Sequence, residues 1–172
     1  MTRADIASPA TAAGRASSAI AQPGFDPARV EAEVKRDVEA RLGREAVAAT
    51  LAAPASVMVT FHQGLPRPIQ RPDGSFGYEG PGAGAAHRTS QGWVGWSGGS
   101  RRLLPAAASA ELDSILAGQA FWGEPDFVRP GCTDAGARRM VVRHVARRTV
   151  RQQSCGGIGL TGRLFDLVFA GR

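Results

Sequence analysis

Apolar side chains recur every four residues at Val30, Val34, Val38 and Leu42, and Val47 and Leu51 extend the stripe past a weak point at Gly43. That spacing predicts an amphipathic helix over 25–52. Its start is specific: Asp26 suits the N-cap, Pro27 suits the first helical position, and Phe25 can close on Val30 as a hydrophobic staple. Glu31 with Lys35, and Asp37 with Arg41, add supporting pairs on the polar side. The stripe is narrow and β-branched, so the helix needs a partner surface, and the nearest is its own domain.

Further along, the period changes from four to two. Val57, Val59 and Phe61 fall on one face of a strand, and Phe76 and Tyr78 follow the turn signal Asp73-Gly74 at strand spacing. Gly80 to Ala86 reads as a flexible loop. Thr89 to Trp96 then forms a strand whose Trp93 and Trp96 point to opposite faces, so that at most one enters the main core and the other is a candidate aromatic ledge. Pro105 opens a second helix with Ala108, Leu112, Ile115 and Leu116 on one side, and Gly118 stops it. Arg138–His144 and Arg147–Gln153 read as a hairpin turning at Val145-Ala146, and Thr161 caps a last helix faced by Leu164, Phe165, Val168 and Phe169.

Strands and helices are mostly segregated, and several strand connections are too short for crossover helices. The expected class is therefore α+β, a small antiparallel β-sheet covered by helices on one face. Three parts are expected: a flexible leader over 1–24, the amphipathic helix over 25–52, and the α+β domain over 53–172. From Val57 onward the element order resembles small bacterial α+β domains of the strand-strand-helix-strand-strand-helix kind, some of them exported. That resemblance rests on order and carries over no functional residue.

Composition narrows the partners less than its charge suggests. A formal charge of +6 would ordinarily point to nucleic acid, a membrane surface or an acidic protein. Yet Lys35 is the one lysine among 21 basic residues, a usage that coding-sequence bias toward GC also produces. No run of 18 apolar residues occurs, so no segment is expected to span a membrane. Ala19-Ile20-Ala21 has the form of a signal-peptidase site, but Asp5, Pro9, Gly14 and Arg15 interrupt any apolar core before it. Export and a cytoplasmic location both stay open. Cys132 and Cys155 flank the hairpin and are a candidate disulfide.

Two motifs promise chemistry and lack its context. Gly95-Trp96-Ser97-Gly98-Gly99 fits the G-x-S-x-G pattern, and a small hydrolase using Ser97, with Asp113 or Asp134 and then His144, is the reading it would support. No helix directly follows the serine, however, so no catalytic residue is assigned. Gly157-Ile158-Gly159-Leu160-Thr161-Gly162 fits the dinucleotide pattern, but no second strand or acidic residue follows it. What survives is an anion site at a helix N-terminus formed by Thr161 and Arg163. His62, His87 and His144 have no metal-ligand spacing, and nothing in the chain calls for a cofactor.

The hairpin is the most distinctive feature. With Met140, Val142 and Val150 facing the core, alternation sends Arg139, Arg143 and Arg151 to the other side, with Arg147 and Arg148 beside the turn. This expected basic ribbon suits carboxylate or phosphate recognition. The leading expectation is a non-enzymatic binding protein that presents the ribbon to an acidic protein surface. Contact with the phosphate backbone of nucleic acid is the alternative.

Overall fold

A computed structural model describes residues 25–62, 67–70, 76–79, 82–97, 100–128, 136–154 and 157–169. Helix α1, Pro27–Leu42, starts as the sequence implies: the Asp26 carboxylate accepts from the backbone N–H of Ala28 at 3.0 Å and Arg29 at 3.3 Å. Val30, Val34, Val38 and Leu42 are its buried stripe. Gly43 then adopts a φ of 90°, and the expected single helix becomes two, with α2 at Arg44–Ala52. The break resets the helical phase. Ala46 and Thr50 are buried in α2, while Leu51, expected on the stripe, stays 36% exposed.

The main sheet is not small. It has seven strands in the order β6-β5-β4-β1-β8-β9-β7: β1 Ala55–His62, β4 Gly82–Thr89, β5 Gly92–Ser97, β6 Ser100–Leu103, β7 Phe127–Val128, β8 Ala137–His144 and β9 Arg147–Ser154. All neighbours run antiparallel except β7 with β9. Strands β2, Arg67–Gln70, and β3, Phe76–Glu79, pair as a separate ribbon.

Helices lie against both faces, not one. Val57, Val59, Trp93, Met140 and Val142 form a core with Leu112, Leu116, Phe121, Leu164 and Val168. These come from α3, Ala106–Ala117, α4, Gln119–Trp122, and α5, Gly159–Phe169. Met58, Ala85, Trp96, Val141 and Val150 face the opposite way, beneath the α1 stripe and Ala46. Double cover explains why six consecutive residues of β1, Ala55 to Thr60, are buried. Trp93 and Trp96 do point to opposite faces, but each fills one of the two cores at 0% and 5% exposure, so there is no aromatic ledge.

The loop expected over Gly80–Ala86 is corrected from Gly82 on, because Gly82–Thr89 is a strand in the middle of the sheet, while residues 80 and 81 lie outside the described residues. Its small residues are a packing requirement. A Cβ on Gly84 would stand 3.1 Å from Val59 Cγ2 and 3.3 Å from the Val168 carbonyl, so α5 could not approach over a larger side chain.

Candidate functional site

The hairpin forms as expected, β8 and β9 joined through Val145-Ala146, but its arginines do not make one ribbon. Pairing runs His144↔Arg147, Arg143↔Arg148 and Met140↔Arg151. Directly paired residues share a face, so an odd-numbered β8 residue lies with an even-numbered β9 residue. Arg139, Arg143 and Arg148 therefore face α1 and α2, while Arg147 and Arg151 face α3–α5. Val150 changes sides with them, pairing with Val141 rather than lying beside Met140.

Most of these cations are engaged inside the fold. Arg139 bonds Glu33 at 2.5 Å and Gln152 at 3.0 Å, and Arg148 pairs with Glu31. Arg143 donates to the Leu51 carbonyl at 2.5 Å. Arg147 reaches Gln119 at 3.4 Å and lies 5.7 Å over the Trp122 ring.

Arg151 is 1% exposed and sits at the centre of a network. It donates to Thr161 Oγ1 at 2.5 Å and to the Phe121 carbonyl at 2.6 Å, lies 4.2 Å over the Phe121 ring, and stands 3.4 Å from Asp126. Burial lowers its pKa from the ordinary guanidinium value, while Asp126 and Glu124 oppose that shift.

The candidate anion site at Thr161 is real in form and already filled. Glu124 accepts from the backbone N–H of Leu160 at 2.7 Å and of Thr161 at 2.9 Å, and from the Thr161 hydroxyl at 2.6 Å. Thus the protein's own carboxylate, not Thr161, caps α5. Burial works to raise the Glu124 pKa, but the bonds from Thr161 and Leu160, with Arg151, hold it below the usual carboxylate value. Arg163 does not join this site; it pairs with both oxygens of Glu111 at 2.5 and 2.7 Å. The surrounding glycines serve a tight turn, since a Cβ on Gly162 would stand 2.5 Å from Gly157 backbone.

Among the described residues, no hydrolytic set is brought together with Ser97. The chain passes from Ser97 in β5 into strand β6, pairing Ser97 with Ser100, rather than turning into a helix. Asp113 receives the Trp93 indole N–H at 2.7 Å and Arg88 at 3.1 Å, and His144 pairs with Arg147 at the hairpin's turn. His144 and Ser97 lie three strands apart, and the register places Ser97 level with Met140, four residues along β8 from His144. Asp134 and the candidate disulfide pair, Cys132 and Cys155, lie outside the described residues. The other two histidines are also separate: His62 is 2.7 Å from Asp37, and His87 is buried beside Trp96.

Sequence reasoning missed β6, which ends the sheet and is exposed along all four residues. Leu104 N–H bonds the Trp93 carbonyl at 2.8 Å, and with Val94↔Leu103, Gly95↔Arg102 and Trp96↔Arg101 this fixes the alternation. Arg102 bonds inward to Gly95, and the backbone N–H and C=O groups of Arg101 and Leu103 point away from the sheet.

The side chains divide by face. Arg101 lies 5.8 Å over Trp96 on the α1 side. Arg102, on the other side, borders a groove of about 190 Å³ lined by Leu104, Pro105, Ala108, Arg163, Asp166 and Leu167. Leu104 reaches this position because Gly95 has no side chain; a Cβ there would be 2.8 Å from Leu104 Cδ2. The one signal of this edge in the sequence is the pair of glycines, Gly98-Gly99, shortly before Arg101-Arg102-Leu103.

No protein-family model, curated protein or solved structure matches the chain.

Proposed function

We propose that the protein is a non-enzymatic binding module that takes an acidic, extended segment of a partner protein as an added strand on β6. The observation that carries this reading is the outward-facing backbone of Arg101 and Leu103 on an exposed edge strand. Main-chain bonds would supply affinity. Alternate side chains of the added strand would supply selectivity, one set reaching Arg101 and the other reaching Arg102 at the mouth of the apolar groove. The hairpin contributes less, because Arg139, Arg148 and Arg151 already have carboxylate partners.

Arginines on an edge also serve simply to repel other strands, and the experiment must separate the two roles. A capped peptide alternating Glu and Val serves as the probe, titrated against the full chain by fluorescence anisotropy. Leu103→Pro removes an outward N–H without touching a bond to β5, so it should abolish peptide binding while leaving the fold intact. Arg102→Glu should weaken binding by about tenfold, the loss of one charge-assisted pair. Equal affinity for wild type and Leu103→Pro would defeat strand addition. Binding of a DNA duplex that falls steeply with salt and ignores Leu103→Pro would favour the nucleic-acid alternative.

A further inference from the structure

A second exposed feature lies at the end of the sheet where β1 and β9 begin. Val145, at the tip of the hairpin, is 81% exposed and has a φ of 54°. A β-branched residue is disfavoured in that left-handed region, where glycine, asparagine and aspartate are usual. The conformation is held from below: Val145 N–H donates to the Pro54 carbonyl at 2.8 Å, and Arg143 ties the last turn of α2 to the hairpin through the Leu51 carbonyl. Leu51, Pro54, Val145 and Ala146 thus form one exposed apolar point on a braced support.

Cations collar this point. Arg143 stands before the turn, and Arg147 and Arg148 follow it. Among the described residues, Arg148 has the carboxylate of Glu31, whereas Arg143 meets a carbonyl and Arg147 meets an amide and the ring of Trp122. Two positive charges therefore stand beside the tip with no neutralising carboxylate among the described residues.

We infer that this tip docks the protein peripherally on an anionic lipid surface. Val145 and its apolar neighbours enter the headgroup layer, and Arg143 and Arg147 lie level with the lipid phosphates. An exposed apolar tip flanked by cations matches the chemistry of a deformable, negatively charged layer, which can close around it. The arginine stems add apolar contact while their heads stay with the phosphates. Among the described residues no helix is long and apolar enough to cross a membrane, and the contact described needs none. The site is separate from β6 and does not depend on the peptide reading.

The test is co-sedimentation of the full chain with vesicles of phosphatidylcholine alone and of phosphatidylcholine with phosphatidylglycerol. Wild type should bind the anionic vesicles, lose binding in high salt, and ignore the neutral ones. Val145→Asn removes the apolar contact and suits the backbone better, so the variant folds and its vesicle affinity should fall about tenfold. Arg143→Gln with Arg147→Gln should weaken binding by about 30-fold, as expected for two basic contacts near the surface. Failure of wild type to bind anionic vesicles, equal binding to neutral ones, or an unchanged affinity of Val145→Asn would each overturn the proposal.

Discussion

Replacing Glu124 with alanine should cost about 3 kcal/mol of stability, and the number can be built from the bonds it makes. The carboxylate receives three hydrogen bonds of 2.6–2.9 Å from the first turn of α5, two of them from backbone N–H groups. Loss of an N-terminal cap alone costs about 1 kcal/mol. Removing a charged acceptor from buried donors adds about 1–3 kcal/mol. Arg151, 1% exposed, would keep, among the described residues, only Asp126 at 3.4 Å as a counter-charge, which places the sum toward the upper part of that range. In a domain of this size the change corresponds to a fall in Tm of about 6–12 °C.

Urea denaturation at neutral pH measures the loss directly. The sign of its pH dependence follows from the depressed carboxyl pKa. Glu124 contributes stability above its unfolded value, near pH 4.3, and loses it as pH falls through the lower folded value. Glu124→Gln should therefore flatten part of the acid limb of the stability profile. Arg151→Met should cost less than Glu124→Ala, and the double variant less than the two losses added, because each removes the other's partner. A loss below about 1 kcal/mol for Glu124→Ala, or strict additivity in the double variant, would refute the network described.

Three further changes test other parts of the structure. Gly84→Val should destabilise by about 2–3 kcal/mol in chemical denaturation, since its branches meet Val59 and the α5 backbone, whereas a change within about 0.5 kcal/mol would show that α5 can move away. His87, buried and accepting from the Trp96 indole at 3.3 Å, has a pKa lowered first by burial and then by Arg101. Its contribution is complete above the unfolded value near pH 6.5 and declines as pH falls below it, so His87→Gln should remove that slope from melts taken below about pH 6.5. Val145→Asn should raise stability by about 0.5–1 kcal/mol by relieving the left-handed backbone, and a lower Tm would contradict that account.

Legibility in the sequence followed the strength of each local signal. Asp26-Pro27, the valine stripe and the two-residue hairpin turn have local causes, and the structure places those elements where the pattern put them. Gly82–Ala86 misled because a glycine-alanine run is ordinary in loops, and its reason for being a strand is the closeness of α5, a tertiary fact. The hairpin was identified correctly, yet its faces were not, because alternation within one strand does not fix the register of the next. At Thr161 the helix start was visible, but the capping Glu124 lies 37 residues earlier, beyond any local pattern. The β6 edge was hidden for a simpler reason: four residues with two arginines carry almost no strand propensity.

The central position of β1 has a consequence for biogenesis. Its neighbour β8 is far away along the chain, with Val57 paired to Val142, a separation of 85 residues (142 − 57). Closing such a loop costs about 4 kcal/mol in chain entropy before any contact repays it. During synthesis β1 can pair with β4 first, while its other edge and the apolar stripe of α1 wait for the hairpin to emerge. Folding should accordingly be slow for a chain this short, and nascent chains halted before β8 should be the species that aggregate or recruit chaperones.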